Sequence, residues 1–65
     1  TYDVYPNELP DAVKATLNEK YGEQSYMRED CECVETPEGT FYEVEIWDEW
    51  DVYISATGEI QWTER

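Results

Sequence analysis

Phe41-Tyr42-Glu43-Val44-Glu45-Ile46-Trp47 alternates without a break. In an extended chain, successive side chains point to opposite faces. Tyr42, Val44 and Ile46 therefore share one side, and Phe41, Glu43, Glu45 and Trp47 share the other. A helix would scatter both sets around its axis. The stretch reads as a strand with one buried side and one acidic, aromatic side.

The same period extends outward from it. Alternating runs cover about Ser25–Glu35 and Trp50–Ala56, and a shorter one covers Glu59–Thr63. Thr36-Pro37-Glu38-Gly39-Thr40 is a turn, with Pro pre-set at its second position and Gly free to take positive φ. Ser55-Ala56-Thr57-Gly58-Glu59 fits a three-residue hairpin loop with Gly58 left-handed. Residues opposite one another must share a face, which constrains each register. Pairing Ser55 with Glu59 sets Ile54 against Ile60 and Val52 against Trp62. An odd loop of five residues, Trp47 to Asp51, sets Ile46 against Val52 and Val44 against Ile54. A two-residue loop at Asp48-Glu49 would instead place Val52 and Ile54 among glutamates. The first strand admits two readings. A simple register sets Val34 against Tyr42 and turns Glu32 and Asp30 inward; a bulge near Cys33 admits Cys31 and Met27 instead.

Upstream, the period changes from two to nearly four. Leu9, Val13, Leu17 and Tyr21 form one apolar stripe, with Thr16 beside it. Pro10 is favoured at a first helical position, Asp11 and Lys20 complement the helix dipole, and Gly22 is a natural stop. The expected fold class is α+β: one N-terminal helix packed on one face of a three- to four-stranded antiparallel meander sheet. Residues 1–65 form one module, with an arm at 1–8, the helix at 9–22 and the sheet at 25–64. Val13, Leu17, Val44, Ile46, Val52 and Ile54 head the expected core, and Tyr42, Ile60 and Trp62 are placed on the same inner face.

The composition excludes several functions. Seventeen acids against four bases leave a net charge of −13 over 65 residues. This opposes nucleic acid and anionic membrane surfaces, whose phosphates are neutralised by Lys and Arg. Low hydropathy with such a charge suggests disorder, but aromatics make up 15 % of the chain, and that favours a folded domain. No apolar stretch is long enough to span a bilayer. A start at Thr1 is read as a processed or trimmed product. A chain this short buries only about 60 % of its unfolded surface, so a partner, a second copy or a longer parent chain is expected.

Catalytic chemistry finds little support. There is no histidine, hence no imidazole base and no histidine-containing zinc site. No phosphate-binding glycine loop or nucleophile elbow occurs. Paired carboxylates run glycosidase chemistry, but only across a cleft that so short a chain does not wall off. No cofactor and no metal are expected. Asp48, Glu49 and Asp51 offer too few oxygens for calcium and read as a solvated loop. Cys31 and Cys33 lie on one face about 6.5–7 Å apart, the outer limit for a disulfide. One buried and one exposed thiol is the simpler reading, with a disulfide, interchain pairing or a metal as alternatives.

Leu9-Pro10, Val13, Leu17 and Tyr21-Gly22, then Tyr42-Glu43-Val44-Glu45-Ile46, then a hairpin with Gly58 and Ile60, resemble the PepSY-like family, whose members are described as similar to β-lactamase inhibitor protein. The likeness spans roughly Leu9 to Trp62, with Ser55 where an Asp is common and Glu59 where a Lys is common. It implies an export-directed bacterial module, periplasmic or extracellular, with a helix on an antiparallel sheet. In the inhibitor branch it also implies an exposed sheet face that grips another protein.

That leaves the outward sheet face, which should present Phe41, Glu43, Glu45, Trp47, Asp51, Tyr53, Ser55 and Gln61. Phe41, Trp47 and Tyr53 are the expected anchors of a binding surface. The carboxylates among them select a basic protein partner. The alternative is closure by a second copy, as a homodimer, or by a neighbouring structural repeat.

Overall fold

A computed structural model describes all 65 residues. Its elements in chain order are β1 (Tyr2–Val4), α1 (Asp11–Lys20), β2 (Cys31–Thr36), β3 (Gly39–Ile46), β4 (Trp50–Ser55) and β5 (Ile60–Glu64). Single turns of 3-10 helix occur at Pro6–Glu8 and Glu23–Ser25. The strands form one antiparallel sheet in the order β1-β2-β3-β4-β5. The α+β class stands, but the sheet has five strands rather than three or four. The extra strand comes from the arm: Tyr2, Asp3 and Val4 pair with Cys33, Glu32 and Cys31. A strand of three residues is too short for an alternation to register.

The helix follows its apolar stripe but is shorter than the expected 9–22, running Asp11–Lys20 with Pro10 as its cap rather than its first residue. Pro10 is extended, and its carbonyl accepts from the Lys14 N–H at 3.0 Å. At the other end Gly22 turns left-handed at φ 92°, and its N–H reaches back to the Leu17 carbonyl at 3.1 Å. Val13 and Leu17 are fully buried. They meet Leu9, Tyr26, Cys31, Val44, Ile46, Val52 and Ile54 in one apolar cluster. Every residue expected to head the core is in it.

Gly58 fastens the helix to the last hairpin. It sits at φ +92°, and a Cβ there would lie 2.6 Å from the Ala12 carbonyl oxygen. The absent side chain lets the Thr16 hydroxyl approach within 2.7 Å of the Gly58 carbonyl. Two independent demands, the turn and the close approach, fall on one residue.

The registers follow the expected parity in the middle of the sheet and depart from it at both sides. The β3–β4 loop consists of Trp47, Asp48 and Glu49, so Val44 faces Val52 and Ile46 faces Trp50. The pairing slides by two residues from the expected one, and it leaves every face assignment of β3 and β4 intact. The short loop is possible because Trp47 and Asp48 both adopt positive φ, 53° and 56°. Between β2 and β3 a tight turn at Pro37-Glu38 sets Cys33 against Tyr42 and Cys31 against Val44. Both thiols point inward with no bulge, and Glu32 points outward.

The first alternating run is shorter than its residues suggest. Glu23–Ser25 is a 3-10 turn, and residues 26–30 are irregular. Ser25 and Tyr26 are nevertheless buried, and the Tyr26 hydroxyl donates to Asn18 Oδ1 at 2.7 Å. Met27 stays 39 % exposed.

The last strand departs from expectation in the way that matters most for function. A bulge interrupts its pairing: Ile54 faces Ile60, but Tyr53 faces Trp62 and Val52 faces Thr63. Gln61 is the extra residue. The bulge moves Trp62 from the inner face to the outer one.

Candidate functional site

The outer face is built from rows that run across the strands. One row joins Val34, Phe41 and Ser55. The next joins Asp3, Glu32, Glu43, Tyr53 and Trp62. The third joins Glu45, Asp51 and Glu64. Tyr53 and Trp62 are stacked, with ring centroids 4.4 Å apart and planes 17° from parallel. Phe41 meets Tyr53 at 6.3 Å and Trp62 at 5.8 Å, tilted against both. Such ring pairs are favourable beyond their burial. The group is a preformed aromatic platform, and Trp62 remains 47 % exposed.

Of the residues expected on this face, Phe41, Glu43, Glu45, Asp51 and Tyr53 lie on it. Trp47 does not join them. Its backbone N–H donates to the Ser25 carbonyl at 2.8 Å, and the residue lines a separate hollow with Glu23, Gln24, Met27, Arg28 and Glu29. Parity alone would have kept Trp47 on the outer face, but the strand ends at Ile46 and the left-handed backbone turns the ring away. Trp62 takes its place in the aromatic group. Only the bulge reveals this, and no residue type in Ile60-Gln61-Trp62 announces a bulge.

The electrostatics of the face are one-sided. Glu32 stands opposite Glu43, and Asp51 stands between Glu45 and Glu64. Like charges directly opposed across strands are destabilising by roughly 0.2–1 kcal/mol each. No lysine or arginine enters these rows. Arg65 pairs instead with Glu49 and lies over the Trp50 ring. The Tyr53 hydroxyl lies 3.2 Å from Glu43 Oε2 and 3.1 Å from Glu64 Oε1. Its single proton serves one carboxylate at a time. Burial and these two carboxylates push the phenol well above its ordinary range.

At one margin Glu45, Asp48 and Glu29 converge, with one carboxylate oxygen from each within 4.8 Å of the other two. Hydrogen bonding to Asp48 raises Glu45 from 4.5 to about 7, helped by burial and by the charges of Asp48, Glu29 and Asp30. A proton held on Glu45 relieves the crowding. The expected acidic loop thus divides: Asp48 joins this cluster, Glu49 pairs with Arg65 and Asp51 belongs to the outer face.

Comparison with known protein families, curated proteins and solved structures gives no match.

The cysteines are on the opposite side of the sheet. Both are unpaired and both are buried, so the reading of one exposed thiol is corrected. Burial, followed by the charges of Asp30, Glu29 and Glu45, pushes Cys31 up to about 12. It is a core side chain rather than a ready nucleophile, since reactivity needs the thiolate. Cys33 lies between Tyr2 and Tyr42 across the strands. Its thiol is the first cause that lifts the neighbouring Tyr2 phenol to about 12, ahead of burial. No helix is long and apolar enough to cross a membrane.

Proposed function

We propose that this chain is a non-enzymatic, exported protein-binding module of inhibitor-like type, and that the outer sheet face engages a basic partner. The observation that carries the reading is the stacked Tyr53–Trp62 pair with Phe41, set among carboxylates that have no base of their own. Large rings of this kind are typical interface anchors, and complementary charge steers and selects the partner. The chain has no histidine, and the hollow beside the rings opens broadly to the surface rather than enclosing a substrate. Export rests on the residue likeness to PepSY-like modules, and a signal peptide encoded upstream would support it. A cytosolic start immediately before Thr1 would remove it.

Self-association through this face is the weaker reading on electrostatic grounds. Two copies stacked face to face would bring their carboxylate rows together, at a net charge of −13 each. A Tyr53→Ala/Trp62→Ala variant tests both readings. Sedimentation should show a monomer for wild type and variant alike. A partner captured by the wild type and then purified should lose roughly 1–3 kcal/mol of binding to the variant. A wild-type dimer that dissociates on substitution would favour self-association, and unchanged partner affinity would refute the site.

A further inference from the structure

The outer face is not uniform along its strands. Toward the two hairpin turns lies a hollow whose apolar surface comes from Phe41 and Trp62, edged by Thr36, Thr40, Ser55 and Gln61, with Glu38 as its one carboxylate. Toward the β3–β4 loop lies a second hollow, lined by Asp30, Glu32, Glu43, Glu45 and Asp51 and by nothing else. The Tyr53–Trp62 stack stands in the row between Phe41 and Glu45. Phe41 and Glu45 are four residues apart on β3, which at ~3.3 Å per residue is about 13 Å.

Resting on the binding reading above, we propose that the partner docks as an extended basic segment carrying an apolar side chain and, four residues along, a lysine or arginine. The apolar group occupies the Phe41–Trp62 hollow, and the cation occupies the carboxylate hollow. The two hollows differ in chemistry, so a ligand satisfying both must itself be bipartite. Charge complementarity fixes the sign of the second group, because five carboxylates face it with no base among them. The spacing favours an extended segment. Side chains four apart on a strand project from one face and span about 13 Å, whereas four residues of helix span only about 6 Å.

Two blocked peptides of identical Ser/Thr-rich composition provide the test. One carries a phenylalanine and an arginine four positions apart, and its isomer carries them five apart, on opposite faces of a strand. NMR titration of the whole chain follows the Trp62 indole N–H and the Glu45 amide. The four-apart peptide should shift both signals and bind about five-fold tighter than its isomer. Glu43→Gln/Asp51→Asn should abolish that preference, while Trp62→Ala should weaken both peptides. Equal binding of the isomers, with both weakened by Trp62→Ala, would overturn the bipartite spacing and leave the binding face standing. Absence of any shift at Trp62 would overturn the proposal, and loss of the purified partner on the Tyr53/Trp62 substitutions remains a separate test of the face.

Discussion

The two faces of this sheet, made from the same strands, obey opposite rules. On the inner face Val44, Ile46, Val52 and Ile54 are buried under Val13 and Leu17. On the outer face Glu32, Glu43, Glu45, Asp51 and Glu64 surround Phe41, Tyr53 and Trp62. The inner face maximises burial, which is what a chain of 65 residues needs to fold at all. The outer face gives stability away by opposing like charges and leaving Trp62 of the ring stack half exposed. Sites that violate the rules of stability are where function is to be sought.

The contrast should show most strongly in truncations. Leu17→Ala removes a fully buried side chain from the centre of the inner cluster. It should cost about 2–5 kcal/mol in chemical unfolding, a large share of what so small a domain has. Trp62→Ala removes a larger side chain from the outer face and should cost distinctly less. If Trp62→Ala were the more damaging, the ring stack would be core and the division of faces would fail.

Gly58→Ala probes how the helix is held to the inner face. The substitution combines a left-handed backbone with a clash against Ala12, and roughly 2–3 kcal/mol of destabilisation is expected. An unchanged unfolding midpoint would mean that the last hairpin does not depend on its seat against the helix.

A smaller effect should appear with pH. Glu45 is raised from 4.5 to about 7 in the folded chain, so the folded state binds more protons than the unfolded state between those values. Stability should therefore rise as pH falls from about 7 toward 4.5, and this contribution is lost as pH rises through the folded value. Asp48, Glu29 and Asp30 supply the surrounding negative charge, with Asp51 opposite on β4. Urea midpoints at both ends of that window, compared between wild type and Glu45→Gln, check the sign. The variant should show a flatter profile.

Much of the inner face was legible from the residues because burial imposes a period. Val44 and Ile46 alternate with glutamates, Leu9, Val13 and Leu17 recur every four, and both signals survive a misplaced loop. The slide in the β3–β4 pairing changed no face, since parity is all that burial reads. The outer face was less legible because nothing packs against it to enforce a pattern. Trp62 reaches it through a bulge at Gln61, and Trp47 leaves it through left-handed backbone at Trp47 and Asp48. Each depends on backbone geometry that no side-chain period encodes. β1 escaped notice for a third reason: Tyr2–Val4 is held by pairing with β2, not by any alternation of its own.

The central claim is that the outer face keeps its carboxylates for a basic partner at a cost in stability. Glu43→Gln/Asp51→Asn tests it most directly, because it relieves the oppositions with Glu32, Glu45 and Glu64 together. Urea unfolding at neutral pH should show the variant more stable than wild type by about 1 kcal/mol, and the same sample should bind the phenylalanine–arginine peptide more weakly. A variant that is less stable than wild type, or that binds this peptide undiminished, would contradict the account.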